Sequence, residues 1–424
     1  MHILLRSAHI IDAQSPLNGL VRDVLIENGL IRQIAEAIYA PHGCQIVEFD
    51  NLHVSPGWFD LRVSAGDPGL EHKETLTSAC RAALAGGFTD MAVLPNTQPV
   101  IDSKDTLGYV QRMADGQPVA VHPIAAITKG AKGTDFADMI DLHHAGAIAF
   151  SDGDHPLQSA DLLLKTLQYL GPMGALLMNR PEETGLTRFG QMHEGVQSTL
   201  LGLKGMPAMA EEIMIERDLR LLAYVSDRSS LPLLHFSCLS SGKSVELIRA
   251  AKERGMPVSC DVAAHQLAYD DTALAQFDTN LKVNPPFRSR ADVAALWAGL
   301  ADGTIDAIVS DHSPQDDESK QIEFDQAEFG MIGLETAFSV AATHNPGLPL
   351  SQLVSALTTR PRHILRLPAL TVAEGQPATL TLFDPAAEWT FAKTASRSKN
   401  SPFLGQTLTG KVLGTLRAGH LYSV

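Results

Sequence analysis

At 424 residues with 45% hydrophobic side chains, the chain is long enough for one α/β barrel of about 250 residues and a second, smaller unit. Its net charge of −15, from 48 acidic against 33 basic residues, argues against nucleic acid or an anionic membrane as partner, because both need clustered positive charge. Four widely spaced cysteines (Cys44, Cys80, Cys238 and Cys260) form no CxxC pair, fit neither a disulfide framework nor a zinc knuckle, and read as reduced core thiols of a cytoplasmic protein.

The N-terminal run MHILLRSAHIID is broken by Arg6 and has no signal-cleavage pattern, and no apolar run approaches the ~20 residues of a membrane span. From Met1 to about Val54 short alternating runs predict strands. LIENGLI (Leu25–Ile31) places Asn28 and Gly29 at a tight hairpin turn. Eight short apolar runs follow: WFDLRV, TDMAVLPN, VAVHPIAAI, AIAFSD, ALLMNR, LPLLHFS, VSCDV and DAIVSDH. Amphipathic stretches between them, such as Leu203–Asp227 and Gly242–Gly255, predict helices. Strand character returns at Ala378–Asp384 and Lys411–Val424. The pattern predicts an α/β protein: a TIM-like (β/α)8 barrel over residues 54–365, with a small β-sandwich built from both chain ends, residues 1–53 and 366–424. A doubly wound open sheet is the alternative, but no Gly-rich phosphate turn accompanies it.

Barrel enzymes carry their chemistry at the C-terminal ends of the strands. Those ends here hold Arg62 and Ser64, Asn96, Ala125, Asp152, Asn179, His235, Asp261 and Asp311. Residues i and i+2 of a strand face the same way, so histidines at 62 and 64 would offer two imidazoles to one cation. Arginine has no lone pair to donate and would repel the ion; serine is a weak ligand. Taken singly, Asp311 also reads as a cap or turn residue, His235 as a satisfied buried histidine, and Asn96 as a turn after strand two.

Several ordered stretches carry a resemblance: PGWFDLRVSAGDPGLEHKET (Pro56–Thr75), LPNTQP (Leu94–Pro99), KVNPPFRSRADVAAL (Lys282–Leu296), DGTIDAIVSDHSP (Asp302–Pro314), FGMIGLETA (Phe329–Ala337) and NSPFLGQTLTGKV (Asn400–Val412). Over nearly its whole length the chain resembles the dihydroorotases, cyclic-amide hydrolases of the amidohydrolase superfamily. The resemblance implies zinc held by paired histidines on strand one, a carboxylate on strand four, histidines on strands five and six, and an aspartate on strand eight that is also the general base. His235 and Asp311 match the last two positions, and Asp152 the strand-four carboxylate. Arg62, Ser64 and Asn179 stand where three ligands are lost, Gly153 where many members have a second aspartate, and Gly66 where the substrate-binding arginine belongs. Asn96 and Asn284 remain as vestigial substrate contacts.

With three ligands gone, each ion would keep one ligand of its own plus Asp152, short of the three that catalytic zinc takes. The expectation is therefore no cofactor and no catalysis. The chain is most similar to the inactive dihydroorotase-like chain that some bacteria associate with aspartate carbamoyltransferase; that resemblance implies the transcarbamoylase catalytic chain as partner, homo-oligomeric contacts within the complex, and a role in assembly. The alternative is an active cyclic-amide hydrolase with a degenerate one-metal site on Asp152, His235 and Asp311. Ligand sensing by a metal-free pocket is a third reading.

Overall fold

The structure, a computed structural model, describes residues 2–225 and 231–423. Its first strands are β1 (His2–Ile10), β2 (Val21–Glu27), β3 (Leu30–Ala35), β4 (Gln45–Val47) and β5 (His53–Pro56). Between β2 and β3, Asn28 and Gly29 have φ of 52° and 79°, the left-handed pair that a two-residue hairpin needs. The barrel strands are β6 (Trp58–Val63), β7 (Phe88–Val93), β8 (Ala120–Pro123) and β9 (Leu177–Asn179). A two-residue parallel pair, β10 (Met192–His193) and β11 (Gly205–Met206), precedes β12 (Leu234–Phe236), β13 (Val258–Ala263) and β14 (Ala307–Val309). Last come β15 (Leu380–Thr390), β16 (Thr407–Arg417) and β17 (His420–Ser423).

Two parallel sheets, β6-β7-β8 and β9-β12-β13-β14, close into the expected barrel. The fourth strand, expected at AIAFSD, is realised by hydrogen bonds alone: Ile148 donates to Pro123 O and Ser151 to Ala125 O on one side, and Phe150 donates to Leu176 O on the other. A parallel bridge between Val63 and His312 completes the ring. One apolar cluster draws on most of the barrel strands and their ends (Phe59, Leu61, Ala92, Ile124, Ala149 and Met178 among them) and fills the barrel interior. A larger one, including Trp58, Val63, Leu177, Phe236 and Val262, lies between strands and helices.

Both chain ends share one eight-stranded sheet, in the order β17-β16-β15-β5-β1-β2-β3 with β4 also paired to β1. Its own core includes Ile3, Ile10, Val24, Val54, Leu380 and Leu416. Within the expected stretch Lys411–Val424, the described residues form two antiparallel strands, because Ala418 and Gly419 turn through left-handed φ of 51° and 81°; Val424 lies outside the described residues.

The helices start where polar caps allow. Thr75 and Ser78 form a capping box ahead of Leu76–Ala85, and Ser289 with Asp292 does the same for Arg290–Asp302. The helix expected over Leu203–Asp227 begins only at Met209: Gly205–Met206 are taken by pairing with β10, and Pro207 is tolerated only at a helix start. The last two positions of that expected helix lie outside the described residues. No described helix is long and apolar enough to cross a membrane.

Candidate functional site

The C-terminal mouth of the barrel is organised around Arg62. A register shift between Asp60 and Val63 in β6 lets Leu61 join the interior cluster and Val63 the outer layer, while Arg62 between them turns into the mouth. Its Nε donates to Asp311 Oδ1 at 2.8 Å and its Nη2 to Asp154 Oδ1 at 2.6 Å, with the arginine side chain only 3% exposed. A fixed guanidinium thus bridges two carboxylates at the mouth. Burial raises the Asp311 carboxyl from its ordinary value, and the charge of Arg62 opposes that rise. His265 Nε2 lies 4.0 Å from Asp311, and burial pushes this imidazole down to about 3, so it adds no second positive charge there at neutral pH.

The other positions singled out from the sequence are engaged elsewhere. Asp152 accepts from the backbone N–H groups of Ile127 and Thr128, both at 2.9 Å, and from the Thr128 hydroxyl at 2.5 Å, closing off the end of strand three. His235 uses both ring nitrogens at 2.8 Å, Nδ1 with Ser259 Oγ and Nε2 with Asp261 Oδ2, and is fully buried. Asn179 donates to Asp218 Oδ2 at 2.8 Å and accepts from the Leu157 N–H. Asn96 donates to the Asp152 carbonyl and accepts from the Asp154 N–H. Asn284 donates to Glu182 Oε2, and Ser64 contributes its backbone N–H to the His312 carbonyl.

Of the ligand positions taken from the resemblance, Arg62 and Asp311 meet directly, and Asp154 joins them. Asp154, Arg180 and Glu182 are the mouth residues that sequence reasoning missed. Arg180 donates to the carbonyls of Asn284 and Asp154 and pairs with Glu182 at 2.8 Å. The signal for Asp154 was the Asp-Gly-Asp run itself: a cation seated in a ligand position needs a carboxylate, and two lie within three residues.

Two glycines restrict what their positions can hold. Gly66 has φ of 68°, and a Cβ there would lie 2.5 Å from the Glu74 carbonyl oxygen, so the loop in this conformation excludes an arginine at 66. A Cβ at Gly153 would lie 1.7 Å from Asn96 Oδ1, so a second aspartate would displace the Asn96 amide and its two hydrogen bonds.

Zinc, which the resemblance implies, does not fit these residues. Asp152 and His235 have their donor atoms committed, Asp311 holds a guanidinium, and no group of three His, Cys, Asp or Glu side chains among the described residues is placed to hold an ion. Arg62 supplies positive charge where an ion would, but it has no open coordination position with which to lower the pKa of water.

In the segments that follow β6 and β14, several motifs that carry the resemblance form a buried seam. Glu74 accepts from the hydroxyls of Ser78 and Ser396, from the Arg397 N–H at 3.1 Å, and pairs with His312 Nε2 at 3.2 Å. Glu335 accepts from the Thr394 hydroxyl and the Ala395 N–H. Asn400 donates to the carbonyls of Ser313 and Gly330 and accepts from the Gln315 N–H. Segment 394–400 is thereby stitched to strand eight and to the first barrel helix.

Comparison with known proteins agrees with this architecture. Residues 52–227 match the Dihydro-orotase-like family and residues 225–422 the Amidohydrolase family. The dihydroorotase of Citrifermentans bemidjiense is 40% identical over 426 residues, covering 99% of both chains. That of Pelotomaculum thermopropionicum is 40% identical over 428 residues, covering 99% of this chain and 98% of its own. Among solved structures, the L-hydantoinase (dihydropyrimidinase) from Arthrobacter aurescens superposes with a TM-score of 0.86 over 99% of this chain and 95% of its own; at 22% identity this speaks to the fold alone. The chain belongs to the dihydroorotase family of the amidohydrolases.

Proposed function

We propose that this chain is a dihydroorotase-family protein without hydrolase activity, acting in pyrimidine biosynthesis as a structural subunit for assembly of aspartate carbamoyltransferase. The observation that carries the loss of activity is the Arg62 guanidinium, which bridges Asp311 and Asp154 where the reaction would need a metal and a free general base. The assembly role is supported by the resemblance to the transcarbamoylase-associated chain and by the intact seam, since a barrel kept for its shape needs no ion.

The second reading is an active dihydroorotase or related cyclic-amide hydrolase with a one-metal site on Asp152, His235 and Asp311. The names of the full-length relatives favour it. It requires all three side chains to leave the partners they hold.

Elemental analysis of the purified chain with a dihydroorotase assay separates the two. The proposal expects well under one zinc per chain and no turnover; stoichiometric metal with activity lost on chelation overturns it. Expressing the transcarbamoylase with and without this chain then tests assembly. Identical particle mass and activity in both cases, with no complex on mixing, refutes the structural role.

A further inference from the structure

The helix Arg290–Asp302 has two unlike faces. Leu296, Gly299 and Leu300 are buried, whereas Arg290, Ala294, Ala298 and Ala301 recur at helical spacing along an exposed stripe. The three alanines leave room beside the helix. A cavity of about 770 Å³ lies over them, bounded on its other sides by the turn Leu267–Asp270 and by Pro346–Pro349. That volume is in the range of small-molecule sites, and none of Arg62, Asp154, Arg180 or Asp311 lines it.

The walls hold one another in place. Trp297 Nε1 donates to the Leu267 carbonyl at 3.0 Å, which ties the helix to the turn. Tyr269 packs against Phe287 and Phe403, with ring centroids 5.4 and 5.3 Å apart. Together with Val293 and Leu348, these two aromatic side chains give the cavity a fixed, mostly apolar lining.

The polar groups of the lining are, by contrast, open to a partner. Arg290 enters no hydrogen bond or ion pair among the described residues. Asp270, a carboxylate of the same lining, already accepts from the Thr272 N–H at 3.0 Å and from the Thr272 hydroxyl, so Arg290 is left without a counter-charge. Gln352 Oε1 is buried with no hydrogen-bond partner. An unmet acceptor costs about 1–3 kcal/mol, so this amide gains by turning toward a donor brought into the cavity.

We propose that the cavity binds a small aromatic anion: a ring with an N–H donor and a carboxylate or phosphate arm. The arm meets the Arg290 guanidinium, the ring lies on the Trp297 and Tyr269 wall, and Gln352 accepts the N–H. A cation of the same shape would set its charge against Arg290. The inference rests on this cavity and is independent of the activity reading above.

The test is isothermal titration calorimetry of the full chain with indole-3-acetate and indoxyl phosphate, which share a ring and differ in the arm. Binding of either supports the proposal, and the one that binds more tightly tells carboxylate from phosphate. Tryptamine, with a cationic arm, is expected to bind about 10-fold more weakly, and benzofuran-3-acetate, without the N–H, about 3-fold more weakly than indole-3-acetate. Arg290→Met is expected to weaken binding about 10-fold, the loss of one charge-assisted contact. Ala298→Trp, at an exposed position, fills the cavity and is expected to abolish binding with an unchanged melting temperature. No binding of either anion up to about 10 mM, which would leave the cavity to a protein side chain, overturns the proposal. So does binding of tryptamine or benzofuran-3-acetate equal to that of the anions, or full binding by folded Arg290→Met or Ala298→Trp.

Discussion

The barrel mouth and the buried seam both draw on the segments that follow β6 and β14, yet they differ in how closely they keep to the motifs that carry the resemblance. At the mouth, Arg62, Ser64, Gly66 and Asn179 stand where the resemblance implies metal ligands and a substrate contact, and an ion pair occupies the centre. At the seam, Glu74, His312, Glu335 and Asn400 stand in their motifs and each is bonded. Agreement with the family motifs thus reports on how the chain is held together as much as on chemistry. A full-length identity of 40% is compatible with a different centre, because residues such as Glu74 and Asn400 are ones a fold needs.

The largest effect that could break this contrast is at Glu74. Replacing it with alanine removes the acceptor for His312, two hydroxyls and a backbone N–H, and is expected to cost about 3–5 kcal/mol in chemical denaturation. A loss under about 1 kcal/mol would show that the seam is incidental. Next is Arg62→Met, which leaves Asp311 buried without its cation; about 2–3 kcal/mol is expected, part of it recovered by adding Asp311→Asn. If the single change is neutral, the mouth is not held by this pair.

Acid sharpens the same comparison. Burial lowers the His265 pKa from 6.5 to about 3, so its contribution is complete above pH 6.5 and declines as the pH falls towards 3, with a slope approaching about 1.4 kcal/mol per unit. At Glu74 burial raises the carboxyl, but His312 and the hydroxyl donors outweigh it and the net shift is downward, so that stability is present above pH 4.5 and lost only below it. Acid unfolding is therefore expected to weaken the mouth first. In His265→Gln the decline between pH 6.5 and 4.5 should flatten; an unchanged pH profile would exclude His265 as its source.

Two further outcomes are expected to be null. Arg62→His with Ser64→His should give no dihydroorotate turnover, since position 66 has no room for an arginine and Asn179 supplies no imidazole. Appreciable turnover would mean that the remaining losses matter little. Incubation with a chelator should leave the melting temperature within about 1 °C, whereas release of a bound ion worth about 5 kcal/mol would lower it by about 5 °C, at about 1 °C per kcal/mol in a chain of this size.

Much of the architecture was legible in the sequence because it rests on hydrophobic patterning and turn chemistry: apolar runs such as WFDLRV, and Asn28-Gly29 at a hairpin. Arg62 and Ser64 could be singled out from strand spacing and resemblance as positions unfit to hold a metal. What took their place could not, because Asp154 and Arg180 reach Arg62, Asn284 and Glu182 only after the barrel closes. Pairing drew Gly205–Met206 out of an expected helix, and the left-handed turn at Gly66, which decides what that position can hold, is set by the Leu70 and Glu74 carbonyls.

The shared sheet has a consequence for how the protein is made. Ser55 in β5 pairs with Thr381 in β15, so one edge of the N-terminal strands has no partner until the ribosome has passed position 381. At roughly 5–20 residues per second, that edge waits on the order of tens of seconds. An unpaired strand edge is a template for association with other chains, so nascent chains are most vulnerable to aggregation during this interval. Slower translation across the barrel segment should lengthen it, and pulse-labelled chains should then show greater dependence on holding chaperones.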